Sequence, residues 1–207
     1  MEFRQLVAAR HMVRRFDPHR PVPRASLHRI LDHARRGPSA GFSQGQAFLV
    51  LEGPHLRRFL NQAGKTAGNA PLIIVPIANK TAYLDRYAHP DKGYPDRDET
   101  TWTMPYWLLD TAMAALLILQ TAVDEGLGAW FFALTPHHRP LLHTTFDIPH
   151  DHDPIGAIAI GYSAQPHPRD LTTRRRPRDE IIHYGHWGHP LPYDPNDPTP
   201  GNDFTKR

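Results

Sequence analysis

The residues best able to do chemistry lie in a few short stretches. Ala9-Arg10-His11-Met12-Val13-Arg14-Arg15-Phe16 sets three guanidinium groups close together, and Arg174-Arg175-Arg176 followed by Arg178 forms a second basic run. A guanidinium offers a rigid fork of donors that matches phosphate or carboxylate oxygens. Each run therefore reads either as an anion site or as a solvated basic patch. Pro38-Ser39-Ala40-Gly41-Phe42-Ser43-Gln44-Gly45-Gln46 is a loop of small residues; such a loop lets backbone approach a ligand closely, though the same composition also serves a plain helix-to-strand connection. Histidine density at His137-His138, His143, His150-Asp151-His152-Asp153, His183, His186 and His189 raises metal binding, which requires three or four ligands to converge. Nothing in the spacing fixes that convergence, since Gly185, Gly188 and Pro190 interrupt the last set, and no metal site is expected. Cysteine is absent, which removes thiolate catalysis and disulfides, and no Gly-x-Ser-x-Gly elbow occurs.

These stretches must be positioned by elements built around Tyr106 to Leu134. Ala112 to Leu119 is apolar on every face, as for a helix covered on both sides by protein. The run reads as too short and too interrupted for a membrane span of about 20 residues. Gly126 and Gly128 end the helix, and Ala129 to Leu134 follows as a buried strand. Upstream, the spacing predicts helices over 3–9 and 27–36, the second capped by Ser26, a strand over 47–51, a helix over 54–62 and a strand over 72–78. Pro76 marks the end or an edge of that last strand. Residues 81–105 mix Tyr83, Tyr87, Tyr94 and Trp102 with charged residues and show no period; a segment of this kind reads as a functional loop, and its aromatics favour a lid. A short helix over 140–146 and a strand over 154–162 complete an α+β order.

At 207 residues the chain fits one domain, 1–187, with the lid at 81–105 and a proline-rich tail or exchanged arm at 188–207. The net charge is +3, and the basic residues cluster instead of forming a continuous face with interleaved aromatics, so no nucleic-acid partner is expected. The first residues carry no apolar signal region. With no cysteine, a soluble cytoplasmic protein with no membrane partner is expected.

Three separated stretches, ARHMVRRF, PSAGFSQGQAFLVL and DEGLGAWFFAL, together with RRRPRDEIIHYGHW near the end, resemble the FMN-dependent nitroreductase family. The resemblance implies a central, mostly antiparallel sheet flanked by helices, and an interlocked homodimer with FMN at the subunit interface. It places Arg10, His11, Met12 and Arg14 at the phosphate, ribityl and pyrimidine side of the flavin, and Pro38, Ser39, Ala40, Gly41 and Gln44 at its edge. Phe131, Phe132 and Ala133 would lie along the ring and offer backbone N–H. Arg174 and Arg176 would return to the phosphate, although the choice among Arg174, Arg175 and Arg176 stays open. Family members often continue the loop as Gln-Pro-Trp, where this chain has Gln44-Gly45-Gln46.

The expected activity is therefore hydride transfer from NADH or NADPH through FMN to a small electron-poor acceptor, such as a nitroaromatic, a quinone or an unsaturated metabolite. No catalytic side chain is required. Tyr83, Tyr87, Trp102 and Tyr106 are expected as acceptor-side walls. The alternatives are a non-catalytic flavin or deazaflavin binder, a flavin-consuming dimethylbenzimidazole synthase, or a metal hydrolase built on the His/Asp clusters. The synthase branch carries an aspartate where this chain has Met12 and a serine where it has Ala133, which disfavours it.

Overall fold

The computed structural model describes residues 1–63, 67–165 and 174–192. The chain divides into two compact units, Met1–Pro166 and His167–Arg207. In the first unit the helices are α1 (Phe3–Ala9), α2 (Arg24–Ala34), α3 (Gly53–Ala63), α4 (Lys80–Tyr87), α5 (Tyr106–Asp124) and α6 (His138–Phe146). The strands are β1 (Gln46–Leu51), β2 (Leu72–Asn79), β3 (Gly128–Phe132), β4 (His152–Pro154) and β5 (Ala157–Gly161). The sheet runs β1-β2-β5-β3 with β4 also paired to β2, and all of these pairings are antiparallel.

Strand alternation divides the core into two layers. Leu51, Ile73, Val75, Ile77, Phe132, Ala157 and Ala159 pack with Phe59 of α3 and Leu142 of α6. The alternate residues Leu72, Ile74, Ala129, Ile158 and Ile160 pack with Ile30 of α2 and Ala115, Ile118 and Ala122 of α5. Helices thus cover both faces of the sheet, which explains why β5 and all of β2 before Asn79 are apolar.

Several boundaries differ from the sequence expectation. Helix α2 starts at Arg24 behind Pro23, and Ser26 is a buried residue of its first turn instead of the cap. Pro76 lies inside β2, opposite Phe48 of β1. Its carbonyl accepts from Ile155 N, so its missing donor falls on the side where β4 gives way to β5. The ladder is interrupted there in any case. Strand β4, too short to show a period, takes up part of the His150–Asp153 run.

Helix α5 has 19 residues and is long and apolar enough, by length and composition alone, to cross a membrane. The expectation that the run is too short does not hold. About half of the helix is buried, and α5 packs on α2 and on β1, β2, β3 and β5, as a core helix does. Its end closes as expected: Leu127 N donates to Ala122 O at 2.8 Å and Gly126 N to Val123 O at 3.0 Å. Gly126 takes φ 71°, the left-handed conformation that this cap needs.

Candidate functional site

The first part of the site is the arginine segment, which docks on β3. Met12 bridges Ala129 in parallel, and Val13 N donates to Ala129 O at 3.0 Å. Further on, Asp17 N donates to Tyr162 O and Ala164 N to Arg15 O, both at 2.9 Å. These bonds bury Val13 and Phe16 and leave Arg14 and Arg15 exposed, with Arg10, His11 and Met12 half-buried. Close docking depends on Gly128, where an added Cβ would stand 2.7 Å from Val13 Cγ2. The Arg14 guanidinium lies 5.6 Å from the centre of the Trp130 ring. Neither Arg10 nor Arg14 forms an ion pair among the described residues. His11 Nδ1 lies 2.8 Å from Ala9 O; a carbonyl only accepts, so Nδ1 carries the proton and Nε2 is left to the outside.

Phe131 and Phe132 sit on opposite faces of β3. Phe132 joins Phe59 in one core layer, whereas Phe131 belongs to the other and lies against Gly156, where no Cβ would fit. Ala133 follows the strand and is exposed.

The loop over 38–44 forms the second part. It contains a tight turn over Ala40–Phe42, and positive φ angles at Gly41 (60°), Phe42 (57°) and Gln44 (52°). Ser39 Oγ accepts from Gln44 N and Asp110 Oδ2 from Ala40 N, each at 2.7 Å. Arg86 Nε donates to Gly41 O at 2.9 Å, and Asn79 N donates to Gly45 O at 2.7 Å. A Cβ at Gly41 would meet the Tyr87 ring at 2.6 Å, and one at Gly45 would meet Asn79 O at 2.7 Å. Glycine is needed at both positions by close approach. Helix α5 is common to both parts, because it packs on β3 and on this turn.

Asp110, Arg86, Asn79 and Gly45 were not singled out in the sequence as loop-holding residues. The available signal was Asp110, a carboxylate inside an apolar helix. Gln46 holds its side-chain carbonyl oxygen buried with no donor among the described residues.

Of the expected acceptor walls, Tyr83 is corrected. It lies in α4, not in an irregular loop, is 0% exposed, and donates its hydroxyl to Asp110 Oδ2 at 2.7 Å. It is a core residue with no accessible face. Tyr87, Trp102 and Tyr106 do lie together: Tyr87 and Trp102 ring centres are 4.6 Å apart, and Trp102 and Tyr106 are 5.8 Å apart. Ion pairs Lys80–Glu99, Arg86–Asp91 and Arg97–Asp85 pin the segment carrying them.

In the second unit, Arg176 donates to Glu180 at 3.1 Å while Arg174 and Arg175 are exposed. Ile181, Tyr184 and Trp187 are exposed, Trp187 at 88%. Of the expected tail or arm over 188–207, residues 193–207 lie outside the described residues. Three of the candidate histidines make local contacts: His143 Nδ1 with Ile148 O, His138 Nδ1 with Thr135 Oγ1, and His152 Nδ1 with Asp151. Among the described residues no three histidine or carboxylate groups converge.

Comparison with known proteins bears on these same segments. Residues 7–67 match the model of the Nitroreductase family, a span that contains both the arginine segment and the 38–44 loop. A protein of Methanothermobacter thermautotrophicus, provisionally named an NADH dehydrogenase/NAD(P)H nitroreductase, is 25% identical over 178 residues, 83% of each chain. A nitroreductase family protein from Clostridium difficile 630 superposes with TM-score 0.71 at 23% identity, covering 90% of this chain and 99% of its own. B. megaterium NfrA1 gives TM-score 0.74 at 17% identity, covering 93% of this chain and 75% of its own. The fold is the nitroreductase α+β fold, and the family whose model matches residues 7–67 is the one that the sequence resembles. The family match and these names support a general oxidoreductase.

Proposed function

We propose that the chain is an FMN-dependent oxidoreductase acting as a homodimer, which passes hydride from NADH or NADPH to a small electron-poor acceptor. The observation that carries this reading is the arginine segment: Arg10 and Arg14 lie on backbone hydrogen-bonded to β3, with no carboxylate partner among the described residues. The donor set fits FMN. Unpaired guanidinium groups suit a phosphate dianion, and the buried Gln46 acceptor without a donor suits a ligand N–H. When bound, FMN supplies the two-electron chemistry between nicotinamide and acceptor.

The residues of this chain contribute binding, orientation and charge. Arg10 and Arg14 would hold the phosphate and set positive charge beside the ring. Backbone N–H from 131–133 would orient the ring with a donor that no pH change removes. Ser39 steadies the loop by accepting from Gln44 N. Tyr87, Trp102 and Tyr106, whose neighbouring rings are inclined at 58° and 62°, offer aromatic surface for an acceptor. Dimerisation is supported by α5, whose Leu109, Met113 and Leu116 form an exposed apolar stripe at helical spacing. Helix α1 packs beside it and exposes Phe3 and Val7. A second copy covering this stripe would bury it, and would complete a helix that is polar on no long face.

The test is NAD(P)H oxidation by the full-length protein with a quinone or nitroaromatic acceptor, as FMN is titrated in. Turnover that saturates with FMN, and an Arg10→Ala protein that needs roughly tenfold more FMN, are expected. Flavin binding without turnover would return the non-catalytic flavin binder. No dependence on FMN would refute the reading.

A further inference from the structure

Asp110 is a carboxylate at 2% exposure in the most apolar helix of the chain, and it forms no ion pair among the described residues. A buried charge without a counter-ion is tolerated only where donors satisfy it. Two do so here, on one oxygen: Ala40 N–H and the Tyr83 hydroxyl, each 2.7 Å from Oδ2. Burial pushes the Tyr83 phenol well above its ordinary pKa, and the bond to Asp110 pushes it further, so the hydroxyl keeps its proton and stays a donor. One carboxylate oxygen therefore joins α5, α4 and the 40–42 turn.

The joined loop has a conformation that it would not keep unaided. Phe42 and Gln44 hold φ of 57° and 52° without being glycine, and Phe42 is 75% exposed, so no packing of its own ring fixes it there. Non-glycine residues in this region persist only where the surroundings over-determine them. Those surroundings are the Asp110 and Arg86 bonds and the ring of Tyr87 against Gly41.

We propose that Asp110 is a positioning residue: through Tyr83 and the Ala40 amide it holds the 39–44 loop in the form that receives the flavin. The proposal rests on the flavin reading above. Tyr83, expected from sequence to face an acceptor, instead belongs to this latch.

The test compares full-length Asp110→Ala, Asp110→Asn and Tyr83→Phe proteins by amide hydrogen exchange and by FMN titration. The asparagine keeps an oxygen acceptor in place, so it should exchange as the wild type does and bind FMN within about threefold of it. Asp110→Ala and Tyr83→Phe should speed exchange at Ala40 and Gln44 and weaken FMN binding. For Asp110→Ala the loss should be about tenfold or more, the scale of a hydrogen bond to a charged group, while exchange in β2 and β5 is unchanged. If Asp110→Ala does not fold, Tyr83→Phe decides alone. Unchanged exchange at Ala40 and Gln44 would overturn the latch, and faster exchange with unchanged FMN affinity would overturn its role in the site. A wild type that takes up no FMN would instead sink the functional reading, with the exchange result still deciding whether the latch exists.

Discussion

Gly128→Ala tests how the arginine segment is held. Gly128 opens β3, and a Cβ built there stands 2.7 Å from Val13 Cγ2, 2.8 Å from Val13 Cβ and 2.9 Å from Val13 Cγ1. Carbon atoms in contact prefer about 3.5–4.0 Å, so Val13 must retreat by roughly 1 Å. Val13 is 1% exposed and has nowhere to go except by lifting its own backbone off Ala129. Overpacking of this kind costs about 1–3 kcal/mol. Because Arg10 and Arg14 flank Val13, FMN retention should fall with stability. Val13→Ala deletes two of the three contacted atoms at a cost of about 2 kcal/mol for the buried methyls. It leaves the contact at Cβ, so rescue should be partial. In urea denaturation the double mutant should be less destabilised than the sum of the single mutants by about 1 kcal/mol, a coupling expected only of residues in contact. Additive effects, or a Gly128→Ala protein that matches the wild type in both stability and FMN affinity, would refute the docking of this segment on β3.

Other predictions are simpler. Gly41→Ala combines a φ of 60° with a Cβ 2.6 Å from Tyr87 and should destabilise the protein by about 1–3 kcal/mol, measured as a lowered denaturation midpoint. Leu116→Asp, on the exposed stripe of α5, should weaken self-association at least tenfold in sedimentation equilibrium while leaving the circular dichroism of the fold intact. Glu125 is held down at about 2 by its hydrogen bonds to Arg29. A carboxylate whose pKa is depressed by folding contributes stability above its unfolded value, near 4.5, and loses it as pH falls toward 2. Stability should therefore drop between pH 5 and 2, and Arg29→Ala should flatten that part of the curve.

The elements most legible in the sequence are those with unbroken apolar runs. Helix α5, its glycine cap, β2 and β5 declare themselves because each is buried on more than one side. Helix α4 does not, since its buried residue Tyr83 is surrounded in sequence by charges that pair locally, and β4 is too short to show a period. Pro76 misleads because the break between β4 and β5 that accommodates it is a tertiary feature. The arginine segment and the small-residue loop stand out by composition, and the family match spans both. What holds the loop is not legible: Asp110 is separated from Ala40 by 70 residues, and only the packing of α5 brings the two together. In the same way, the bond from Gln44 N to Ser39 Oγ that closes the loop has no sign in the sequence.

The most direct measurement of the central claim is the visible spectrum of the purified protein reconstituted with FMN, recorded without oxygen before and after NADH or NADPH is added. The account predicts a bound flavin spectrum that bleaches on addition of one of the two nucleotides and returns when a quinone is admitted. A protein that stays colourless after incubation with FMN would contradict it.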